Sequence, residues 1–180
     1  LPSGNDASVA LAQHFGDRVA PDAAGDSYDR FIAAMNAKAK ELGMTGTSFA
    51  NPHGWPHENH YGTAADLLKL GYNAMQQDRF RKYVSTVQHG ATVTGTGGYK
   101  RNVAWWNTNR LLRTEGFVGV KTGTTSAAGA CLVSQEQRGD QSLMIVVLGS
   151  SSTDARYADS QNLYRWAWRQ LGSDQSLAEQ

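Results

Sequence analysis

The stretch that decides the fold is GFVGVKTGTTSAAGACLVSQEQRGDQSLMIVVLGS, residues 116–150. It contains three segments with the length and composition of strands: GFVGVKTG, GACLVSQEQ and SLMIVVLGS. Only the short turns TTSAA and RGDQ separate them. Parallel strands need a crossover of roughly a dozen residues or more, so this spacing predicts three consecutive antiparallel strands.

Helices are predicted on both sides of this sheet, from apolar residues at helical spacing and from capping residues. The predicted starts are Asn5 or Asp6, Asp26 or Ser27, a capping-box-like Thr63–Asp66 pair, and about Asp154. Gly43 is expected to end the second helix and Gly172 the last, whose inward side includes Leu163, Tyr164 and Leu171. A period-two pattern from Tyr83, the turn GTGG and the return YKRNVAWW predict a hairpin. Together these elements predict an α/β or α+β layered domain, an antiparallel sheet flanked by helices.

Composition excludes several functional classes. The 180 residues suit one domain, which we place at residues 1–172, with a polar tail at 173–180. With 17 basic and 16 acidic residues, the net charge of +1 is too balanced for a nucleic-acid-binding protein, and no run of like charges marks a membrane-surface patch. The longest apolar stretch, residues 143–149, is too short to span a bilayer. Cys131 is the only cysteine, which excludes a disulfide within the chain and a Cys-rich zinc site.

Two short motifs carry the chemistry. Lys121-Thr122-Gly123 ends a predicted strand, where a lysine is either solvated or directed at an anion. Alone this motif is weak, because short motifs match by chance. Ser3-Gly4-Asn5 lies more than a hundred residues earlier, and a Ser-x-Asn followed at such a distance by Lys-Thr-Gly is typical of penicillin-recognising serine acyl-transferases.

With these motifs in place, the chain resembles the D-alanyl-D-alanine carboxypeptidases, the low-molecular-mass penicillin-binding proteins. The similar segments run in family order from Ser3 to about Trp166: SGNDASVALA, MNAKAKELGMTGTSFANPHG, GTAADLLKLG, NTNRLL, GVKTGTTSAAG and VVLGSSSTDARYADSQNLYRW. The resemblance implies the fold shared by penicillin-binding proteins and β-lactamases. It also implies a bacterial location outside the cytoplasm, a peptidoglycan stem peptide as substrate and β-lactams as inhibitors, without a cofactor or metal.

The third motif of the family, Ser-x-x-Lys, is absent, because no serine in the sequence has a lysine three positions later. In the family this motif supplies the nucleophile and lies upstream of Ser-x-Asn. We therefore expect the chain to be the C-terminal portion of a catalytic domain, with an N-terminal portion carrying Ser-x-x-Lys as its partner. Alone, the chain is not expected to acylate.

The resemblance also assigns roles to the residues of the two motifs. Ser3 would relay a proton to the leaving nitrogen, Asn5 would fix the substrate backbone, and Lys121 would supply positive charge. Thr122 and Arg156 would bind the terminal carboxylate. Gly123 would leave room for substrate along the strand, and the Thr124 N–H would complete the oxyanion hole.

Other interpretations stay open. A class A-like β-lactamase would need a deacylating glutamate, for which Glu115 lies too close to the Lys-Thr-Gly strand and Glu58 lacks a supporting loop pattern. A non-catalytic cell-wall-binding or β-lactam-sensing domain is also compatible with a chain that lacks the nucleophile. His53 lies in a loop and is expected to be structural. Any role of the pair Asn109-Arg110 is doubtful, because Thr108 stands where relatives often carry a further basic residue. The tryptophans 105, 106, 166 and 168 are predicted to form core and sheet covering.

Overall fold

Five α-helices, two short 3-10 helices and five strands lie within residues 1–178, the part of the chain that the computed structural model describes, with side chains through residue 172. The helices are α1 (Asn5–Val19), α2 (Ser27–Glu41), α3 (Ala64–Met75), α4 (Asp78–Ser85) and α5 (Thr153–Ala178). The strands are β1 (Gln88–Thr94), β2 (Lys100–Trp106), β3 (Phe117–Thr125), β4 (Gly129–Arg138) and β5 (Gln141–Ser150). None of the helices in this range is long and apolar enough to cross a bilayer.

Strands β3, β4 and β5 form the predicted antiparallel sheet, in that order. Lys121 pairs with Val133 and Gly123 with Cys131 across β3 and β4. β3 is an edge strand of this sheet, and within the described residues one of its sides carries no neighbouring strand. The meander is confirmed, and its free edge holds the Lys-Thr-Gly motif.

Helices cover both faces of the sheet. On one face α5 packs through Tyr157 and Tyr164, which are buried with Leu111 and Leu132. On the other face α3 lies so close that a Cβ on Gly71 would be 2.9 Å from the Met144 sulfur. The fold is therefore the predicted α+β layered arrangement.

The predicted helix starts are confirmed for α2 and α3 but not for α1. Asp26 caps α2 by accepting a hydrogen bond from the Asp29 N–H at 3.0 Å, and Thr63 caps α3 by accepting from the Asp66 N–H at 3.1 Å. At α1 the capping residue is Gly4, without a side-chain hydrogen bond, and Asn5 is the first helical residue. The prediction of Asn5 or Asp6 as the cap is wrong.

Asp66 does not complete a capping box, because its carboxylate is directed at the irregular segment 44–62. It accepts hydrogen bonds from the Gly46 N–H at 2.8 Å and the Thr47 hydroxyl at 2.9 Å, and it pairs with Lys69 at 3.1 Å. Burial acts to raise the pKa of this carboxyl, but the hydrogen bonds from Thr47, Gly46 and Lys69 outweigh burial, so the pKa is lowered. This ionised group fixes the irregular segment to α3.

One other prediction fails where local pattern competes with packing. The period-two pattern from Tyr83 suggested a strand, but Asp78–Ser85 is helix α4 and the strand starts only at Gln88. Phe80 and Val84 are four residues apart and therefore share one side of this helix, with Val84 packing close to Gly119 of β3. The β1–β2 hairpin itself is confirmed, with Gln88 opposite Trp106 and Thr94 opposite Lys100.

The last helix is longer and less covered than expected. It continues past Gly172 to Ala178, so the predicted end at Gly172 is wrong: a glycine inside a helix costs about 1 kcal/mol but does not terminate it. Leu163 and Leu171 are exposed rather than inward. Trp106 and Trp166 are more than half exposed and are not core residues. Residues 179–180 of the predicted tail lie outside the described residues.

Candidate active site

The seven residues predicted for the site all line one cleft of about 680 Å³. It lies between the start of α1, the edge strand β3 and the irregular segment that precedes α3. The seven are Ser3, Asn5, Lys121, Thr122, Gly123, Thr124 and Arg156. Residues from both ends of the chain therefore meet in one concave surface, the usual form of a small-molecule site.

Ser3 and Lys121 are in direct contact across this cleft. The Lys121 ammonium donates a hydrogen bond to the Ser3 hydroxyl at 2.7 Å and another to its neighbouring backbone, the Thr122 carbonyl, at 2.5 Å. Ser3 has a φ of 59°, a left-handed conformation that costs a non-glycine residue roughly 1 to 3 kcal/mol. Such strain is typical of residues held in place for chemistry.

The environment of the Lys121 amine disfavours its charge. Lys121 is partly exposed as a residue, but its amine lies in the cleft, where burial lowers its pKa and the nearby Arg156 guanidinium lowers it further. A lysine with a lowered pKa is present as the neutral amine in a larger fraction near neutral pH, and only the neutral amine can accept a proton or act as a nucleophile.

We expect the Lys121 amine to be acetylated at lower pH than an ordinary lysine. A lowered pKa leaves more neutral amine at any pH below 10.5, the ordinary value. Competitive labelling with acetic anhydride across a pH series, read by mass spectrometry, would give the pH at which acetylation of Lys121 is half-maximal. A lysine peptide labelled in the same way is the reference. A midpoint at or above that of the peptide would contradict this assignment.

Thr122 is buried, and its hydroxyl is 2.6 Å from the hydroxyl of Thr108. Thr108 is held in turn by Tyr157, whose hydroxyl donates to the Thr108 carbonyl at 2.9 Å. Next to it, buried Asn109 donates from Nδ2 to the Gly119 carbonyl at 2.9 Å. Thr108 and Asn109 therefore position β3. Sequence reasoning missed this function of Thr108, for which the only signal was its place in the segment NTNRLL.

Arg156 is almost fully buried, with 5% of its surface exposed. Its Nη1 donates to the Gly123 carbonyl at 3.1 Å, the Thr124 hydroxyl at 2.9 Å and the Cys131 carbonyl at 3.3 Å. Its buried Nε has no hydrogen-bond partner in the described part of the chain. The guanidinium thus clamps the end of β3 and at the same time brings a positive charge to the cleft wall.

The end of β3 presents an open backbone edge. Successive residues of a strand turn their N–H and C=O groups to opposite sides, so every second residue of β3 faces away from β4. A Cβ added to Gly123 would meet no described atom within 4 Å, so the space beside this residue is open. An extended ligand can therefore approach the strand closely.

The opposite wall is built by the segment Asn51–Trp55. The buried amide of Asn51 accepts from the Gly54 N–H at 2.7 Å and donates to the Trp55 carbonyl at 2.9 Å. His53 accepts from the Trp55 N–H at 3.2 Å, in agreement with its expected structural role. Sequence reasoning did not place Asn51 and Trp55 in the site.

Among the described residues that line the cleft, none is a carboxylate, and residues 1–172 contain no cluster of three His, Cys, Asp or Glu side chains that could hold a metal.

Known proteins resemble this chain in sequence and in fold. The sequence model of the D-alanyl-D-alanine carboxypeptidase family matches residues 1–152. The D-alanyl-D-alanine carboxypeptidase of Streptomyces sp. strain K15 is 36% identical over 170 residues, 93% of this chain and 57% of the relative. The crystal structure of the Streptomyces K15 DD-transpeptidase superposes with a TM-score of 0.86 at 34% identity, covering 94% of this chain and 64% of that one.

A second solved structure is similar over much of the same range. Penicillin-binding protein D2 from Listeria monocytogenes, in its cefotaxime-bound form, gives a TM-score of 0.68 at 30% identity, covering 91% of this chain and 60% of that one. These superpositions confirm the predicted penicillin-binding fold. The chain spans about half the length of the curated relatives it matches.

Proposed function

The chain belongs to the D-alanyl-D-alanine carboxypeptidase family, and from this premise we propose that it forms part of the active site of a bacterial serine-type D,D-peptidase. The substrate would be the D-alanyl-D-alanine or a related D,D bond of peptidoglycan stem peptides, cleaved outside the cytoplasm. The observation that carries the proposal is the 2.7 Å contact between Ser3 and Lys121, 118 residues apart, beside an open strand edge.

In the proposed reaction a serine of a Ser-x-x-Lys motif, on a preceding segment or a separate chain, attacks the carbonyl carbon of the scissile bond. The serine gives its hydroxyl proton to the lysine of that motif, and Ser3 recovers from this lysine the proton that it passes to the leaving amine. The serine forms an ester with the acyl part, and the terminal D-alanine leaves as an amine. Ser3 delivers the proton that this amine needs, and the Lys121 ammonium makes the Ser3 hydroxyl a better donor through their hydrogen bond. Water then hydrolyses the ester.

The substrate would lie along β3 as an added strand, with its terminal carboxylate toward the two cations of the cleft, Lys121 and Arg156. The Thr122 hydroxyl is paired with Thr108, but a hydroxyl has one donor and two acceptor sites and can contact the carboxylate as well. The Thr124 N–H would stabilise the oxyanion, and the Asn5 amide, which lines the same cleft, would hold the substrate backbone. A β-lactam has the same carboxylate and reactive carbonyl, which supports the proposal that it binds here.

An apolar cavity of about 430 Å³ adjoins the catalytic strand and supports the proposed N-terminal partner. Its walls come from α3, α4 and the sheet, and they include Leu67, Leu70, Phe80, Val133 and Leu148. Lys121, Thr122 and Gly123 line both this cavity and the cleft. A segment that fills this cavity would bring its own side chains next to the Lys-Thr-Gly motif.

The test is covalent labelling by a fluorescent penicillin. The chain alone is expected to remain unlabelled, whereas the chain co-expressed with the segment carrying Ser-x-x-Lys is expected to be labelled at that serine, as located by mass spectrometry. Absence of label in the assembled protein would overturn the proposal in favour of a non-catalytic wall-binding or sensing domain. Rapid loss of the label would favour the β-lactamase alternative, which the lack of a carboxylate among the described cleft residues does not support.

A further inference from the structure

The positive charge of the chain is concentrated in one continuous stretch, residues 79–114, which we call the basic segment. It contains seven Lys or Arg residues and no Asp or Glu, while the rest of the chain has ten basic and sixteen acidic residues. No more than two of these cations are adjacent, at Arg81-Lys82 and Lys100-Arg101, so the segment contains no long run of like charges. The asymmetry is strong for a chain whose total charge is +1.

In the structure most residues of this stretch are exposed, and its two strands form a sheet of their own. The basic segment comprises most of α4, the β1–β2 hairpin and the turn that leads to β3. Neither hairpin strand belongs to the central sheet, and strands of seven residues extend about 20 Å. The hairpin base is fixed by Asn107, whose N–H donates to the Val87 carbonyl at 2.8 Å and whose Nδ2 donates to the Val84 and Thr86 carbonyls at 3.1 Å.

Most of these cations have no ionic partner among the residues that the structure describes. Arg81 pairs with Asp78, and Arg110 pairs with Asp154 at 2.5 Å. The other five have no carboxylate within ion-pair distance in the described part of the chain: Arg79, Lys82, Lys100, Arg101 and Arg113. Lys100 and Arg101 are consecutive at the end of the hairpin and point to opposite faces, so the hairpin is positive on both sides.

Exposed aromatic side chains accompany the free cations. Tyr83 is 64% exposed, Tyr99 69% and Trp106 55%. Tyr99 directly precedes Lys100 and Arg101 near the hairpin turn. A soluble phosphate polymer requires only cations, whereas tyrosine and tryptophan are characteristic of the interface between lipid headgroups and acyl chains. Cations with exposed aromatic residues and no carboxylate match a membrane surface that contains anionic lipids.

We propose that the basic segment docks the protein onto a membrane surface rich in anionic phospholipid. The hairpin tip makes the contact, with Lys100 and Arg101 at the phosphates and Tyr99 at the headgroup boundary. This binding is peripheral, and it is independent of the acylation chemistry, so its failure leaves the peptidase proposal untouched.

The test is sedimentation with vesicles of phosphatidylcholine alone and with a third of phosphatidylglycerol. Binding is expected only to the anionic vesicles, and raised salt should weaken it. Each cation near such a surface contributes roughly fivefold to partitioning, so Lys100→Gln with Arg101→Gln should lower it about 25-fold. The matched control is Lys38→Gln with Lys40→Gln, which removes the same charge from the exposed side of α2 and should have little effect.

Three outcomes would overturn the proposal. They are equal binding to both kinds of vesicle, equal losses in the two double variants, and hairpin-dependent binding to polyphosphate without binding to the anionic vesicles. Tyr99→Ser distinguishes the lipid surface from a soluble polyanion, because it should weaken vesicle binding and leave polyphosphate binding unchanged. Circular dichroism of each variant verifies that the fold is retained.

Discussion

Lys121→Ala in the assembled enzyme is expected to slow acylation by penicillin about a hundred- to ten-thousandfold, the usual contribution of a positioned proton-transfer group. The substitution removes both the hydrogen bond to Ser3 and the charge that draws the substrate carboxylate. It should not destabilise the fold, because burial and Arg156 already lower the pKa of this amine and so disfavour its charge in the folded state. Stopped-flow acylation and urea unfolding measure the two quantities separately.

The matched control for this experiment is Lys40→Ala, at an exposed lysine on α2 that does not line the cleft. It should change neither the acylation rate nor the unfolding midpoint. If Lys121→Ala acylated at the normal rate, the assignment of β3 as the catalytic strand would be wrong. A slow variant that was also largely unfolded would instead assign Lys121 a structural role.

The sequence predicts the sheet well because the residues that determine the pairing of its strands lie close together in the chain. Turns of four or five residues between the strand segments leave antiparallel pairing as the only arrangement, and capping at Asp26 and Thr63 is set by residues within one turn of helix. The prediction of a strand within α4 fails because it too rests on local evidence alone. In a segment of eight residues, the pattern of apolar residues does not distinguish a short amphipathic helix from a strand. The packing of Val84 near Gly119 of β3 decides which of the two forms.

The site could be predicted only in part from the sequence. The motifs Ser3-Gly4-Asn5 and Lys121-Thr122-Gly123 identify its residue types, and their joint presence in family order indicated that they meet. The hydrogen bonds between Thr108 and Thr122, and from Arg156 to Gly123, depend on how α5 and the turn before β3 pack together. No spacing rule encodes such contacts, so the sequence predicts Arg156 as a ligand-binding residue but does not predict its second contribution, the clamp on β3.

That second contribution gives Arg156→Ala a large expected effect on stability. The substitution leaves part-buried acceptors on Gly123, Thr124 and Cys131 without their donor. Each acceptor that water cannot reach lowers the free energy of unfolding by about 1 to 3 kcal/mol. We expect a loss of about 3 to 5 kcal/mol in the free energy of unfolding, and therefore a melting temperature lower by about 10 °C or more. Arg165→Ala, an exposed position on the same helix, is the control and should stay within about 0.5 kcal/mol.

The same variant separates the clamp from carboxylate binding. If the guanidinium also holds the substrate, Arg156→Ala in the assembled enzyme should lower kcat/KM for a peptide ending in a free D-alanine carboxylate. This loss should exceed the loss for the amidated peptide by about 10- to 100-fold, the value of a hydrogen bond to a charged group. Arg156→Lys should recover part of the difference because it keeps the charge. Equal losses on the two peptides, measured below the melting temperature of the variant, would limit Arg156 to holding the end of β3 in place.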